Sequence, residues 1–191
     1  MLASKSTIRK RLLKSTGLQF KVAPASVDEE KLKIKYRDKS FTFLASKLAN
    51  EKAKEIAQLY KGEYVIGADQ ICVCKKKLLN KPKTIKNAVE QLSLLNGIVH
   101  MQISAFSIYL NNKLIGNYCD TAYLKMRKLT KQNIKAYIND EKPINSCGSY
   151  KYESKGILLF STVSGSVDTV KGLPLLPLLD LMHKKNIIKY V

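Results

Sequence analysis

The sequence is poor in acidic residues, in cysteine and histidine, and in long hydrophobic runs. It has 15 Asp and Glu against 34 Lys and Arg in 191 residues, which gives a formal net charge of +19. This charge favours anionic partners such as nucleic acid, a membrane surface or a small polyphosphate, but it determines neither fold nor chemistry. A generally Lys-rich proteome would produce the same excess, because lysines occur on nearly every segment.

The few cysteines and histidines argue against a Cys/His metal site. Cys72-x-Cys74 has the wrong spacing for a zinc pair, and His100 and His183 are isolated. The start MLASKSTIRK becomes charged before an apolar core develops, so we predict no signal peptide. We therefore expect a cytoplasmic protein with reduced thiols.

Two further absences exclude whole classes of protein. The most apolar late stretch, residues 172–182, is too short to span a bilayer and contains two prolines, so we expect no membrane partner. No two glycines stand in G-x-G order, and Gly62-x4-Gly67 continues with Ala68-Asp69 where a Walker A loop needs Lys and Ser or Thr. Kinase and Rossmann dinucleotide-binding classes are therefore excluded.

The hydrophobic pattern predicts one α/β domain over residues 1–191, with a mixed sheet flanked by helices and two lobes around a central cleft. No internal repeat or low-complexity linker divides the chain. Turns are predicted at residues 75–77 and 111–112. The predicted strands cover residues 1–3, 20–23, 64–74, 100–110, 114–125 and 156–163, and the predicted helices cover 9–14, 42–60, 84–95, 130–138 and 172–184.

The first candidate site is the Ser-rich turn between the first strand and the first helix. Ser4, Ser6 and Arg9 could converge with the helix N–H groups on an anion, because strand, polar turn and helix form a phosphate-binding geometry. The alternative is that the two serines only cap the helix.

Asp69 is the strongest single candidate for a catalytic residue. It interrupts an otherwise apolar strand, where burial of a carboxylate is unfavourable unless a cation, a metal or hydrogen-bond donors compensate it. Asp69 could act as a general base or a hard-metal ligand together with an acid from residues 28–30. The alternative is a structural Asp that accepts backbone N–H groups at a strand end.

Four other polar residues could contact a nucleotide. Gln70 and Glu153 lie beside apolar segments and could hydrogen-bond to a base, whereas Lys52 and Lys81 could supply charges for phosphates. The alternative for each is an ordinary solvated surface residue. Composition and pattern alone do not choose between these interpretations.

A series of short motifs, in order and spacing, resembles the Maf family over residues 2 to about 182. The combination is far more specific than any single motif. The series is Leu2-Ala3-Ser4-x-Ser6-x-x-Arg9-x-x-Leu12-Leu13, Val27-Asp28-Glu29, Leu48-Ala49-x-x-Lys52-Ala53, Ile66-Gly67-Ala68-Asp69, Lys81-Pro82, Leu95-x-Gly97 and Gly172-Leu173-Pro174-Leu175.

The resemblance implies an elongated α/β fold similar to that of the inosine triphosphate pyrophosphatases. It also implies a homodimer, which is the usual state of Maf proteins. It implies hydrolysis of a nucleoside triphosphate between the α and β phosphates, to a monophosphate and pyrophosphate, with Mg²⁺ or Mn²⁺. By matching positions, Asp69 would be the general base and would hold the metal with Glu29. The triphosphate would be bound by Ser4, Ser6, Arg9, Lys52 and Lys81.

Within this family, substrate choice follows positions that match Ile8, Gln70 and Glu153. Gln70 and Glu153 resemble the branch that hydrolyses 7-methyl-GTP, and a carboxylate suits both the guanine edge and the positive charge of the methylated base. Ile8 replaces the Trp of that branch and the Arg of the dTTP/UTP branch. The alternatives are a dTTP/UTP or broad-specificity pyrophosphatase, and a non-enzymatic module that binds nucleic acid or a division protein; nucleic-acid binding is compatible with the enzyme but not required.

Overall fold

The computed structural model describes residues 1–189, and this part of the chain forms a mixed α/β fold, as predicted. The strands are β1 (Leu2–Ala3), β2 (Tyr64–Cys74), β3 (Lys77–Leu79), β4 (Val99–Leu110), β5 (Lys113–Met126) and β6 (Phe160–Ser164). The α-helices are α1 (Thr7–Lys14), α2 (Glu29–Lys35), α3 (Phe41–Leu59), α4 (Ile85–Leu95), α5 (Lys131–Glu141), α6 (Val167–Val170) and α7 (Leu175–Lys184).

The described strands form one six-stranded mixed sheet with the order β1-β2-β4-β5-β6, and β3 pairs with β2 outside this order. β1 runs parallel to β2, whereas β3 is antiparallel to β2 and β6 is antiparallel to β5. β4 and β5 are neighbours joined by the predicted turn, in which Asn111 has a φ of 54°. Such a short connection joins antiparallel strands.

The chain divides into two compact units, each with its own hydrophobic core. Unit 1 comprises Met1–Gln70, Ser104–Asp120 and the segment from Gly172 onwards. Unit 2 comprises Ile71–Ile103 and Thr121–Lys171. The fully buried large side chains of unit 1 are Leu2, Leu13, Leu48, Phe106, Ile108 and Leu173, and those of unit 2 are Leu92, Leu95, Leu124, Met126, Ile134 and Ile138.

The long amphipathic and apolar segments fold as the sequence predicts. β2 covers the same residues as the predicted strand, and α3 begins one residue before the predicted start and ends one residue before the predicted end. The sequence carries the signals for both helix ends of α4: Thr84 accepts a hydrogen bond from the N–H of Asn87 at 3.1 Å, and Gly97 follows with a φ of 73°.

One strand prediction is wrong, and a second is only half right. Residues 20–23 form no strand, and only Val22 makes an isolated bridge, to Leu2. Residues 155–159 form a 3₁₀ helix, and β6 begins only at Phe160. At Gly156 the backbone folds back so tightly that a Cβ would overlap the carbonyl of Lys151, and this reversal is incompatible with an extended strand.

Three short elements were not predicted: α2, α6 and β3. The sequence gives little signal for α2. None of its residues is buried, so its apolar residues show only weak helical periodicity. Its start is stabilised instead by Asp28, whose carboxylate accepts the Lys31 N–H at 3.0 Å.

No described helix is long and apolar enough to cross a membrane. All four cysteines lie in the described part of the chain as free thiols. Cys72 and Cys74 are buried in the core of unit 2, and burial raises the pKa of the Cys72 thiol well above its usual value.

Candidate active site

Asp69 lies in the middle of β2 and is only 5% exposed. Its carboxylate Oδ1 accepts a hydrogen bond from Nζ of Lys52 at 2.5 Å. The ammonium group compensates the unfavourable burial of the carboxylate. The sequence allows a cation, a metal or hydrogen-bond donors opposite Asp69. The structure shows a cation there, the ammonium of Lys52.

Gly67 allows this pair to form, because it lets β2 approach α3 very closely. A Cβ on Gly67 would overlap the backbone of Ala49 and Ala53. Residues two apart on a strand point to the same face, so Asp69 faces α3 as Gly67 does. Lys52 lies next to Ala53 on that helix, and the close approach brings its ammonium to the carboxylate.

Lys52 also binds Glu29, whose Oε1 lies 2.7 Å from the same Nζ. Glu29 is the first residue of α2, so the unpredicted helix positions this carboxylate. Burial lowers the pKa of Lys52 and Arg9 lowers it further, but Asp69 and Glu29 outweigh both, so that the pKa is raised overall. Lys52 is therefore an ammonium at neutral pH, shared by two carboxylates.

Arg9 is buried, and its guanidinium donates to protein atoms. Nε donates to the carbonyl of Gly172 at 2.7 Å, and Nη1 donates to the carbonyl of Ala68 at 3.0 Å and to Oγ of Ser4 at 3.3 Å. Because Ala68 directly precedes Asp69, these bonds fix the backbone beside the buried carboxylate. Arg9 therefore positions the site, and its charge contributes to the local field.

Both serines of the first turn accept local hydrogen bonds. Ser6 caps α1 by accepting the Arg9 N–H at 3.4 Å, and Oγ of Ser4 accepts the Ser6 N–H at 3.2 Å. In each bond the hydroxyl oxygen is the acceptor, so the hydroxyl proton can still be donated to an anion. The capping role and the phosphate-binding role are therefore compatible.

Gln70, the next residue of β2, packs on Gly172. Gly172 has a φ of +98°, and a Cβ there would lie 3.0 Å from Oε1 of Gln70. Gly172 opens one of the motifs of the family resemblance, but the sequence predicts no site role for it. Ile8 is half-buried and packs against the core of unit 1, so its side chain has a structural contact of its own.

Lys81 belongs to unit 2 and lies in the irregular segment after β3. Its side chain is exposed, and it lines a cavity of about 380 Å³. The other residues that line this cavity are Asn80, Pro82, Asn87, Glu90, Gln91 and Leu94. Lys81 is therefore an exposed charge on the cavity wall, in contrast to the buried ammonium of Lys52.

Glu153 also belongs to unit 2, and it follows a firmly held segment. The hydroxyl of Tyr150 accepts from Nε2 of Gln102 at 2.7 Å and lies 2.8 Å from Nε2 of His100. The N–H of Lys151 donates to the Tyr137 hydroxyl at 2.9 Å. Glu153 itself is exposed, so a fixed backbone presents its carboxylate to solvent.

The structure brings the predicted residues of unit 1 together in two connected sets. Asp69 and Glu29 share Lys52, whereas Arg9 joins Ser4 to the backbone beside Asp69. The predicted residues of unit 2, Lys81 and Glu153, lie on separate segments that follow β3 and precede β6. Sequence reasoning missed the glycines that make the contacts of unit 1 possible.

The two carboxylates of unit 1 provide a donor set that suits Mg²⁺ or Mn²⁺. An oxygen of Asp69 lies 2.5 Å and an oxygen of Glu29 lies 2.7 Å from Nζ of Lys52, so the two carboxylates are close to each other. Within residues 1–189 no group of three or more His, Cys, Asp or Glu side chains could hold a metal ion. Mg²⁺ is often bound by one or two carboxylates plus substrate phosphates, and this pair fits that pattern.

The chain is similar to known proteins over nearly its whole length. The family model described as Maf-like protein matches residues 1–185. A nucleoside triphosphate pyrophosphatase of Legionella pneumophila (strain Corby) is 41% identical over 188 residues, covering 98% of this chain and 94% of that protein. Proteins of the same name are 36% identical over 190 residues in Nitrobacter hamburgensis (98% and 94%) and 35% identical over 178 residues in Pelagibacter ubique (91% and 91%).

The relatives named nucleoside triphosphate pyrophosphatase place the chain in the class of hydrolases that act on phosphoric acid anhydrides. The chain belongs to the Maf-like protein family. The resemblance that the motifs predict is therefore confirmed, and so is the enzymatic class.

Proposed function

We propose that this enzyme hydrolyses a nucleoside triphosphate to a nucleoside monophosphate and pyrophosphate. The observation that carries the proposal is the buried Asp69 carboxylate, held 2.5 Å from Lys52 beside the turn of Ser4 and Ser6. The names of the three relatives support the same reaction.

In this reaction a water oxygen attacks the α-phosphorus, and the bond from that phosphorus to the oxygen bridging the α and β phosphates breaks. Asp69 accepts a proton of the attacking water as general base. The pyrophosphate leaves with the electron pair of the broken bond, and its negative charge requires cations and donors nearby. Lys52, Lys81 and the serine hydroxyls supply them, while Arg9 holds the backbone in place.

We propose Mg²⁺ or Mn²⁺ as the cofactor, held by the carboxylates of Asp69 and Glu29. A bound divalent cation would neutralise phosphate charge and orient the triphosphate. Lys52, which contacts both carboxylates, would add its positive charge to that of the cation.

We propose 7-methyl-GTP, or a related modified nucleotide, as the preferred substrate. Glu153 can accept hydrogen bonds from the N1–H and N2–H₂ edge of guanine, and its charge complements the methylated base. Gln70 packs against Gly172, which gives its amide a defined position. Ile8 offers an apolar surface without the cation–π face of a Trp. The alternative is a dTTP/UTP or broad-specificity enzyme.

The activity is tested by measuring pyrophosphate release from 7-methyl-GTP, GTP, UTP and dTTP with Mg²⁺ or Mn²⁺. Asp69→Asn should abolish release while the protein still folds and binds nucleotide. Asp38→Asn is the matched control, because the Asp38 side chain is 88% exposed. Undiminished turnover by Asp69→Asn would reject Asp69 as the general base.

The substrate preference is tested separately with Glu153→Gln. If Glu153 reads the methylated guanine, the variant should lower kcat/KM for 7-methyl-GTP relative to UTP by tenfold or more. Asp140→Asn is the control, since Asp140 is an exposed carboxylate of the same unit that pairs with Lys155. A wild-type preference for UTP or dTTP would assign the enzyme to the alternative branch.

We also propose a cytoplasmic homodimer in which residues 1–191 form a single domain with two lobes around the central cleft. These statements come from the resemblance and the composition. Analytical ultracentrifugation tests the dimer directly, because a monomer of 21.5 kDa and its dimer sediment at clearly different rates.

A further inference from the structure

Helix α4 holds the Lys81 segment through two amide side chains on one face. Nε2 of Gln91 donates to the carbonyl of Asn80 at 2.8 Å, and Nδ2 of Asn87 donates to the carbonyl of Pro82 at 2.9 Å. Asn87 and Gln91 are four residues apart, so they lie one above the other on the helix surface. The backbone on both sides of Lys81 is therefore held by the same helix.

Gln91 makes a second bond, to a different part of unit 2. Its Oε1 accepts a hydrogen bond from Oγ of Ser149 at 2.6 Å. One amide group thus joins the Lys81 segment to the segment that contains Ser149. Asn87 is a useful comparison, because its side-chain bond goes to the carbonyl of Pro82 and not to the segment of Ser149.

Ser149 has an unusual backbone conformation. It is fully buried and has a φ of 63°, although non-glycine residues rarely adopt positive φ. Gly148 before it also has a positive φ, and a Cβ there would lie 2.8 Å from Sγ of Cys72. Such a conformation persists only where surrounding contacts hold it, and such residues are often found at functional sites.

The segment from Ser149 leads directly to Glu153. Tyr150 and Lys151 are held by hydrogen bonds to their own partners, so a displacement of Ser149 would be passed along a constrained backbone. Gln91 therefore contacts both segments that carry the predicted site residues of unit 2.

We propose that Gln91 is a positioning residue that couples the Lys81 segment to the segment that presents Glu153. Its donated bond orients the peptide that leads into Lys81, and its accepted bond stabilises the left-handed Ser149. The inference rests on the proposed function, because it needs Lys81 to bind phosphate and Glu153 to read the base.

The first experiment measures the binding of inorganic pyrophosphate with Mg²⁺ by calorimetry. Gln91→Met and Asn87→Ala should each weaken binding about fivefold or more, because each removes one bond beside Lys81. Gln91→Met should have little further effect in a Lys81→Met background, as expected for a residue that acts through Lys81. Ser93→Ala is the control, an exposed residue of the same helix.

The second experiment measures the ratio of kcat/KM for 7-methyl-GTP to that for UTP. Ser149→Ala and Gln91→Met should both change this ratio at least threefold, whereas Asn87→Ala should leave it unchanged. Gln91→Met alone should thus affect both pyrophosphate binding and base preference. Thermal unfolding of each variant shows that it is folded. Gln91→Glu separates the two bonds, because a carboxylate cannot donate to the carbonyl of Asn80 but can still accept from Ser149. It should therefore weaken pyrophosphate binding and leave the ratio unchanged, and a changed ratio would contradict the coupling.

The outcomes separate this inference from the proposed function. If Lys81→Met and Glu153→Gln have their expected effects but Gln91→Met changes only one property or neither, the coupling is refuted and the function stands. If Lys81→Met binds pyrophosphate like the wild type, or Glu153→Gln leaves the ratio unchanged, the proposed role of that residue fails and the coupling fails with it.

Discussion

Gly67 lies directly against the backbone of Ala53, and no side chain larger than hydrogen fits between them. Gly67→Ala should therefore destabilise the protein by about 2 kcal/mol or more, because its Cβ would meet backbone that cannot rotate away. Urea denaturation measures the difference. A loss below 0.5 kcal/mol would show that β2 and α3 can separate at no appreciable cost. The variant should also lose activity, since Lys52 would move away from Asp69.

Removal of Lys52 should leave two carboxylates without their shared cation. Lys52→Met should destabilise the fold by about 3 kcal/mol, because one partner of a buried pair remains uncompensated. In an Asp69→Asn background the same change should cost at least 1 kcal/mol less. A double-mutant cycle by urea denaturation tests this coupling, and strictly additive effects would contradict it.

Lys47 provides the matched control for Lys52 on the same helix. Its Nζ lies 2.5 Å from Glu51, but both side chains are about one-third exposed. Solvent screens such a pair, so Lys47→Met should cost about 0.5 kcal/mol or less. Equal losses for the two lysines would show that burial does not distinguish these ion pairs.

Arg9→Lys should be a damaging substitution although it preserves charge. An ammonium cannot reproduce the three directed bonds to Gly172, Ala68 and Ser4. We expect a loss of about 2 kcal/mol in the free energy of unfolding, because buried acceptors lose their partners. Arg11→Lys, at an exposed position of α1, should change stability by less than about 0.5 kcal/mol. Similar stability of the two variants would contradict the positioning role of Arg9.

His100 should make the protein sensitive to acid. Burial lowers the pKa of His100 from 6.5 to about 4. Below pH 6.5 the unfolded chain binds a proton that the folded chain does not, so stability falls as the pH decreases towards 4 and this contribution then levels off. One pKa unit corresponds to about 1.4 kcal/mol, so the loss attributable to His100 is about 3 kcal/mol.

Urea denaturation between pH 7 and pH 4 measures this loss, with His100→Gln as the comparison. The variant lacks the titrating group, so the difference in stability between wild type and variant should shrink by about 3 kcal/mol as the pH falls over this range. A difference that does not change with pH would show that His100 is not held neutral. Burial is the cause of the shift, because His100 is only 2% exposed.

The sequence was informative where one segment contains its own signal. The apolar run of β2 and the periodicity of α3 predicted these elements within a residue of their observed ends. The conspicuous Asp69 predicted that a compensating group must lie opposite it. The exposed helix α2 and the 3₁₀ helix over residues 155–159 have no comparable pattern, so the prediction missed the first and wrongly assigned a strand to the second.

By itself, the sequence determined the fold class, the family and the residue types available for anhydride hydrolysis, because motifs in order and local periodicity are properties of the chain alone. Only the tertiary structure shows which of the 34 basic residues contacts Asp69. It alone also shows that Arg9 donates to backbone carbonyls. It also placed Gln91 between the segments of Lys81 and Ser149. These contacts join residues far apart in the chain, and they depend on close backbone approaches, such as that at Gly67, which no local pattern encodes.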